Sequence, residues 1–163
     1  MQVIASPCRT CSFCRNTPSL WRSAGVGARS SSLYTRQLAD LIDKFCIDYH
    51  FFADDSDLYS CLPTEPESAL NALRNVESCC RQIKIWMTKN KLKLIEQKTE
   101  VLLYGPSSRR ETVLVDCLSV GEASIPFSNV VKTLGVTLDA ELSMEQHVSA
   151  VVRSCFFPHQ ISE

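Results

Sequence analysis

The chain has 163 residues, a formal net charge of −1, 45% apolar residues and 21% charged residues. That length suits one domain, and the near-zero balance excludes a whole-chain basic field for nucleic acid. No apolar run is long enough to span a bilayer. Nine cysteines with no basic-then-apolar start point to reduced thiols, and so to a nuclear or cytoplasmic rather than a secreted protein.

In chain order, residues 1–32 read as irregular: Ser, Arg, Pro, Gly and Cys dominate, and neither a period of two nor one of 3.6 holds. They carry Arg9, Arg15, Arg22 and Arg29 with no acid, and the cysteines Cys8, Cys11 and Cys14 at two-residue gaps. Three thiolates fall short of a structural zinc set, which wants four ligands, but they keep a zinc-binding module open as a rival function. Leu33, Leu38, Leu41, Ile42 and Phe45 then predict a helix to about Lys44. Residues 46–62 predict a β-hairpin, with turn chemistry at Ala53-Asp54-Asp55-Ser56 and with Phe51 and Phe52 as core strand residues.

Thr64 and Glu67 have the spacing of a capping box. Ala69, Leu70, Leu73, Val76, Cys80, Ile83 and Met87 recur at steps of three and four, which predicts an amphipathic helix to about Asn90. Within it Cys79-Cys80 reads as one core and one flanking thiol, and Trp86 with Met87 packs the helix end. The end is basic: Lys84, Lys89, Lys91, Lys93 and Lys98 are opposed only by Glu96. A solvated helix terminus explains such lysines as well as a phosphate contact does.

Thr99–Tyr104 predicts a strand stopped by Gly105-Pro106. Val113–Val120, Ser124–Phe127 and Val130–Leu138 predict three more, and Ser143 with Gln146 can cap a last helix carrying Val148, Val151, Val152 and Cys155 on one face. The expected fold is α+β, an antiparallel sheet packed by helices. His50, His147 and His159 form no visible site.

The chemistry lies in Asp54 and Asp55. Two adjacent carboxylates at a hairpin tip can share a hard cation, and Mg²⁺ needs only one or two carboxylates plus substrate phosphates. An EF-hand is excluded, because Asp54, Asp55 and Asp57 are followed by Leu58-Tyr59 without the required Gly and Glu.

Phe52-Ala53-Asp54-Asp55 between strands resembles the polymerase hairpin of LINE-type (non-LTR) retrotransposon reverse transcriptases. Further stretches follow in that family's order. Asn90 to Glu100, with Lys98-Thr99-Glu100, resembles its Lys-Thr-Glu motif. Lys132-Thr133-Leu134-Gly135-Val136-Thr137-Leu138-Asp139 resembles its primer-grip hairpin, and 143–157 resembles the helix after it. Ser32-Leu33-Tyr34-Thr35 is similar to the end of the helix before the hairpin.

The resemblance implies a partial reverse transcriptase palm with the start of the thumb over 33–157, an unrelated leader over 1–32 and a tail over 158–163. It implies RNA-directed DNA polymerisation by a two-metal mechanism. Asp54 and Asp55 would hold Mg²⁺, Lys98 would sit near the incoming nucleotide, and Gly135 would permit the primer-grip turn. The partners would be an RNA template, a DNA primer and dNTPs, with no membrane.

The family also needs an upstream catalytic Asp and a Pro-Gln-Gly-Ser loop. Here the first acid is Asp40, in the helix before the hairpin, and Gly25 to Ser31 stands at the loop position. Ile95 replaces an Asn, and Asp57 replaces a Gln. The chain is therefore expected not to polymerise alone. The alternative expectation is a non-catalytic nucleic-acid-binding or scaffold fragment acting through Lys84–Lys98.

Overall fold

The computed structural model describes residues 1–8, 32–52 and 55–156, at 6–8 and 32–35 by backbone alone. Strand β1 (Gln2–Cys8) is followed by helix α1 (Ser32–Asp43), the hairpin β2 (Asp48–Phe52) and β3 (Asp55–Pro63), and helix α2 (Pro66–Lys89). Next come β4 (Glu100–Leu103), the short helix α3 (Ser107–Arg110), the hairpin β5 (Cys117–Val120) and β6 (Ala123–Ser128), the hairpin β7 (Val130–Thr133) and β8 (Val136–Asp139), and helix α4 (Glu145–Phe156). The chain is α+β. Among the described residues no helix is long and apolar enough to cross a membrane.

Six strands form one sheet in the order β2-β3-β1-β4-β6-β5, and β7-β8 is a separate ribbon. The sheet is mixed, not antiparallel as expected. β1 runs parallel to both neighbours, β4 runs parallel to β6, and only the β2-β3 and β5-β6 hairpins are antiparallel. The first six main elements run β-α-β-β-α-β with strand order 2-3-1-4, and α2 joins the parallel strands β3 and β4 across β1.

β1 is the main departure from the expectation of an irregular leader. Val3, Ile4 and Ala5 are all buried at the centre of the sheet. A parallel strand covered on both faces shows an unbroken apolar run instead of alternation, and three residues are too few to register as a period. Pro7 fits because pairing with β4 ends at Ala5, so only β3 borders it.

α1 and α2 cover one face. Leu38 and Ile42 of α1 and Leu73, Val76, Cys79, Cys80 and Ile83 of α2 share a core with Val3, Ala5, Leu58, Leu62, Val101 and Leu103. Both Cys79 and Cys80 are fully buried, so neither flanks the core, and burial pushes both thiols up to about 12. The stripe of α2 is wide enough to take two successive positions, as a helix covered by a whole sheet requires. Trp86 and Met87 do pack against this core.

The expected capping box is absent. α2 starts on Glu65 with no side-chain cap, Ser68 Oγ donates to Glu65 Oε2 at 2.9 Å, and Thr64 Oγ1 accepts from Arg109 at 3.2 Å. The other end closes without glycine. Lys91 N donates to Thr88 O and Leu92 N to Met87 O, a Schellman pattern with Lys91 in the left-handed region at φ 59°.

The second face of the sheet receives the β7-β8 ribbon, where Val131 and Ala140 pack on Leu102. The single strand expected over 130–138 is two strands, because Leu134 (φ 49°) and Gly135 (φ 81°) reverse the chain with the positive φ pair of a type I′ turn.

Candidate functional site

Side chains alternate across a strand, so Leu58 faces the helices while Asp55, Asp57 and Tyr59 face the other way. Asp55 opens β3 opposite Phe52 and is exposed. Ala53 and Asp54 lie outside the described residues, so the expected carboxylate pair is described in one member only. Phe51 packs against the core, but Phe52 is 58% exposed, on the opposite face, and stacks with the exposed His50 at 6.5 Å between ring centroids. Phe52 is thus not the core residue expected. Alternation puts Phe52 with His50 on the face turned away from the helices.

Register places the other expected residues. β1 sits between β3 and β4, with Gln2 opposite both Asp57 and Glu100. Asp55 precedes Asp57 by two residues and Lys98 precedes Glu100 by two, so both lie at the same end of the sheet. Two strand spacings separate their backbones, roughly 10 Å. Lys98 ends a 3₁₀ turn (Glu96–Lys98) and is exposed. The Leu134-Gly135 turn comes to this end as well, because Thr133 Oγ1 donates to Asp57 Oδ2 at 3.1 Å. Gly135 has open space where a side chain would be, so only its positive φ calls for glycine.

α2 runs back along the sheet from the far end of β3. Its basic terminus therefore returns to the Asp55 end, with Lys89, Lys91, Lys93 and Lys98 all exposed. Lys84 is engaged instead in a bridge to Glu96 Oε1 at 2.6 Å. This bridge lies against Gly121, whose positive φ fits the first position of the two-residue β5-β6 turn.

Compared with known protein families, curated proteins and solved structures, the chain matches none.

Sequence reasoning missed the role of Asp57. It is 5% exposed, and its Oδ2 accepts from Tyr59 Oη at 3.3 Å as well as from Thr133. Burial and the Asp57 charge push the Tyr59 hydroxyl up to about 12, so it stays a donor at any physiological pH. Asp57 thereby ties the hairpin to the β7-β8 ribbon, and hydroxyl donors hold a carboxylate that would be costly to bury unpaired. The period of two from Asp55 was the available signal, since it puts both carboxylates on one face. Next to it, Gln2 Nε2 donates to Lys132 O at 2.7 Å and to Glu100 Oε2 at 3.5 Å.

An exposed Asp55 carboxylate is a hard oxygen donor, so its chemistry fits Mg²⁺. Asp57 is occupied by its hydroxyl donors and is not free to join it. Among the described residues no group of three His, Cys, Asp or Glu side chains gathers around one point. Cys8 ends β1, while Cys11 and Cys14 of the zinc alternative lie outside the described residues, as does His159. His147 accepts at Nδ1 from Thr137 N at 3.4 Å and anchors α4.

Proposed function

We propose that residues 33–157 are a partial palm, with the start of a thumb, of a LINE-type reverse transcriptase, and that this chain binds primer-template without extending it. The observation that carries the reading is convergence. Asp55, Lys98 with the exposed lysines behind it, and the Leu134-Gly135 turn come from three separated stretches and meet at one end of the sheet. Four resembling motifs in family order give that convergence its meaning.

The roles follow from position. Asp54 and Asp55 would hold Mg²⁺, which when bound activates a primer hydroxyl and neutralises phosphate charge. Lys98, and Lys89 to Lys93, would neutralise phosphate charge, a contribution that falls with salt. The Leu134-Gly135 turn would lie along the primer strand, steadied by the Thr133–Asp57 hydrogen bond. Asp40 lies in α1 and exposed, on a helix and not on a strand beside Asp55, so it supplies no third carboxylate. Without one, in-line transfer has no positioned triphosphate and extension is not expected.

The test is binding of an RNA–DNA primer-template to the full chain, read by fluorescence anisotropy with and without Mg²⁺. Mg²⁺ should tighten binding, and Asp54→Ala/Asp55→Ala should abolish that gain while leaving the salt slope intact. Salt-dependent affinity that ignores both Mg²⁺ and the double substitution would instead mean a nucleic-acid scaffold working through the lysines. No affinity at all would sink both readings.

A further inference from the structure

We propose that Asp57 is a positioning residue: by accepting from Thr133 it fixes the Leu134-Gly135 turn relative to Asp55, so that a divalent cation at the hairpin and a nucleic-acid strand on the turn bind as one unit. This deepens the polymerase reading and rests on it in one respect, that Asp55 takes the cation.

The β7-β8 ribbon is held differently at its two ends. Its base is anchored by burial, with Val131 and Ala140 against Leu102 of β4, and by the Gly105 N–H, which donates to Ala140 O at 2.8 Å. Its tip carries Leu134, which is 48% exposed, and Gly135, which has open space where a side chain would be. Between base and tip, two polar ties act on consecutive residues. Gln2 Nε2 of β1 donates to Lys132 O, and Thr133 Oγ1 donates to Asp57 Oδ2 of β3. The ribbon thus crosses the sheet face from β4 over β1 to β3, which are successive strands of the sheet. A two-stranded ribbon is marginal by itself, so the ties nearest the tip decide where the tip lies.

Asp57 is placed to link that tip to the hairpin. It follows Asp55 by two residues on the same face of β3, and that stretch of strand is paired with His50 to Phe52 on one side and, at Asp57, with Gln2 on the other. Tyr59 donates to the same Oδ2 from the same strand, so the carboxylate is oriented without help from the ribbon. Lifting the tip would take one of two donors from a buried carboxylate, which is costly. The hairpin and the turn are therefore held in one mutual arrangement, and the exposed members of each, Asp55 and Leu134, are the ones a ligand can touch. Linkage is reciprocal: a cation that steadies Asp55 steadies the turn, and a strand on the turn raises cation affinity by the same factor.

The test is a Mg²⁺ titration of isotope-labelled full chain, read at the Asp55 and Gly135 amide resonances. It compares the unaltered chain with Thr133→Val and Thr133→Ser. Valine keeps the shape, suits a strand and removes the donor; serine returns the donor. Tyr59 still donates to Asp57 in Thr133→Val, so no carboxylate is left unpaired and the fold is retained. The expected result is that Gly135 follows Asp55 with the same Mg²⁺ midpoint in the unaltered chain. Thr133→Val should lose the Gly135 response while Asp55 still responds, and Thr133→Ser should restore it. A bond that only stabilised the ribbon would not carry a signal from the cation to the turn.

A Gly135 response that survives Thr133→Val overturns the inference and leaves the polymerase reading standing. So does its absence from an unaltered chain in which Asp55 responds. No response at Asp55 sinks both. Primer-template binding gives a second readout: the Mg²⁺-dependent gain in affinity should fall roughly fivefold or more in Thr133→Val and return in Thr133→Ser. An equal gain in all three chains overturns the inference alone.

Discussion

α2 and α4 carry the same signal in sequence and meet different fates in the fold. Each repeats apolar residues at steps of three and four, α2 from Ala69 to Ile83 and α4 from Val148 to Cys155. α2 buries six residues, whereas α4 buries none and leaves Val148, Val151, Val152 and Phe156 exposed. α2 returns across a six-stranded sheet that can receive its whole stripe. α4 leaves β8, a strand of a two-stranded ribbon whose residues are themselves only half-buried. Periodicity reports which residues share a face; whether a surface exists to cover that face is a separate fact, set by topology.

The sharpest way to break this comparison is truncation on each helix. Leu73→Ala removes a side chain that is 3% exposed beneath the sheet, and should destabilise the chain by about 2–5 kcal/mol through lost burial and a residual cavity. Val151→Ala should stay within about 0.5 kcal/mol. Urea unfolding of both variants checks this. A loss at Val151 as large as the one at Leu73 would mean that α4 is covered after all.

Gly121→Ala comes next. The added methyl meets the Glu96 carboxylate and the Lys84 side chain, at a φ of +65° that disfavours any L side chain. The bridge joining α2 to the 3₁₀ turn before β4 must then shift, and a loss of about 1–3 kcal/mol is expected, again from the urea midpoint. An unchanged midpoint would show that the Lys84–Glu96 contact does not hold α2 to this turn.

Sequence patterns served well where one element explains itself and poorly where two remote elements meet. α1, the β2-β3 hairpin and α2 could be placed within a residue or two because their periods and turn residues are local. β1 could not, since its seven residues acquire meaning only from β3 and β4, far along the chain. The single strand expected over 130–138 failed for a local reason: Leu134 is an unusual residue for a left-handed turn position, so only Gly135 marked the reversal. In the candidate site, Asp55 was legible from its turn and Lys98 from the family motif. The buried role of Asp57 was not, because it depends on Thr133, 76 residues away.

A smaller effect sharpens the view of α2 as the secured helix. Its C-terminal Schellman turn is complete in hydrogen bonds, but it places Lys91 in the left-handed region. Lys91→Gly removes that strain and should stabilise the chain by about 1 kcal/mol. The expected readout is a raised thermal midpoint. A lowered one would mean that the Lys91 side chain contributes contacts worth more than the strain it bears.

The smallest effect separates the two helices by what holds them. α4 is anchored by polar contacts in place of burial: the Asp139 carboxylate accepts from the backbone N–H groups of Glu141, Ser143 and Met144 and from Ser143 Oγ, all at 2.9–3.0 Å. Those bonds span Leu142 and Met144, both at positive φ, so the carboxylate compensates a turn that is strained by itself. The Ser143 N–H, foremost among these donors, holds the Asp139 carboxyl below its usual range. A depressed folded-state value means a contribution present in full above the unfolded pKa and lost as pH falls through the folded one. Amides in the first turn of α4 should thus lose hydrogen-exchange protection on acidification while those of α2, held by apolar burial, keep theirs. Asp139→Asn should loosen the same turn already at neutral pH and flatten its acid dependence. If α4 and α2 instead lose protection together, the two helices belong to one cooperative unit, and the difference in burial between them has no counterpart in stability.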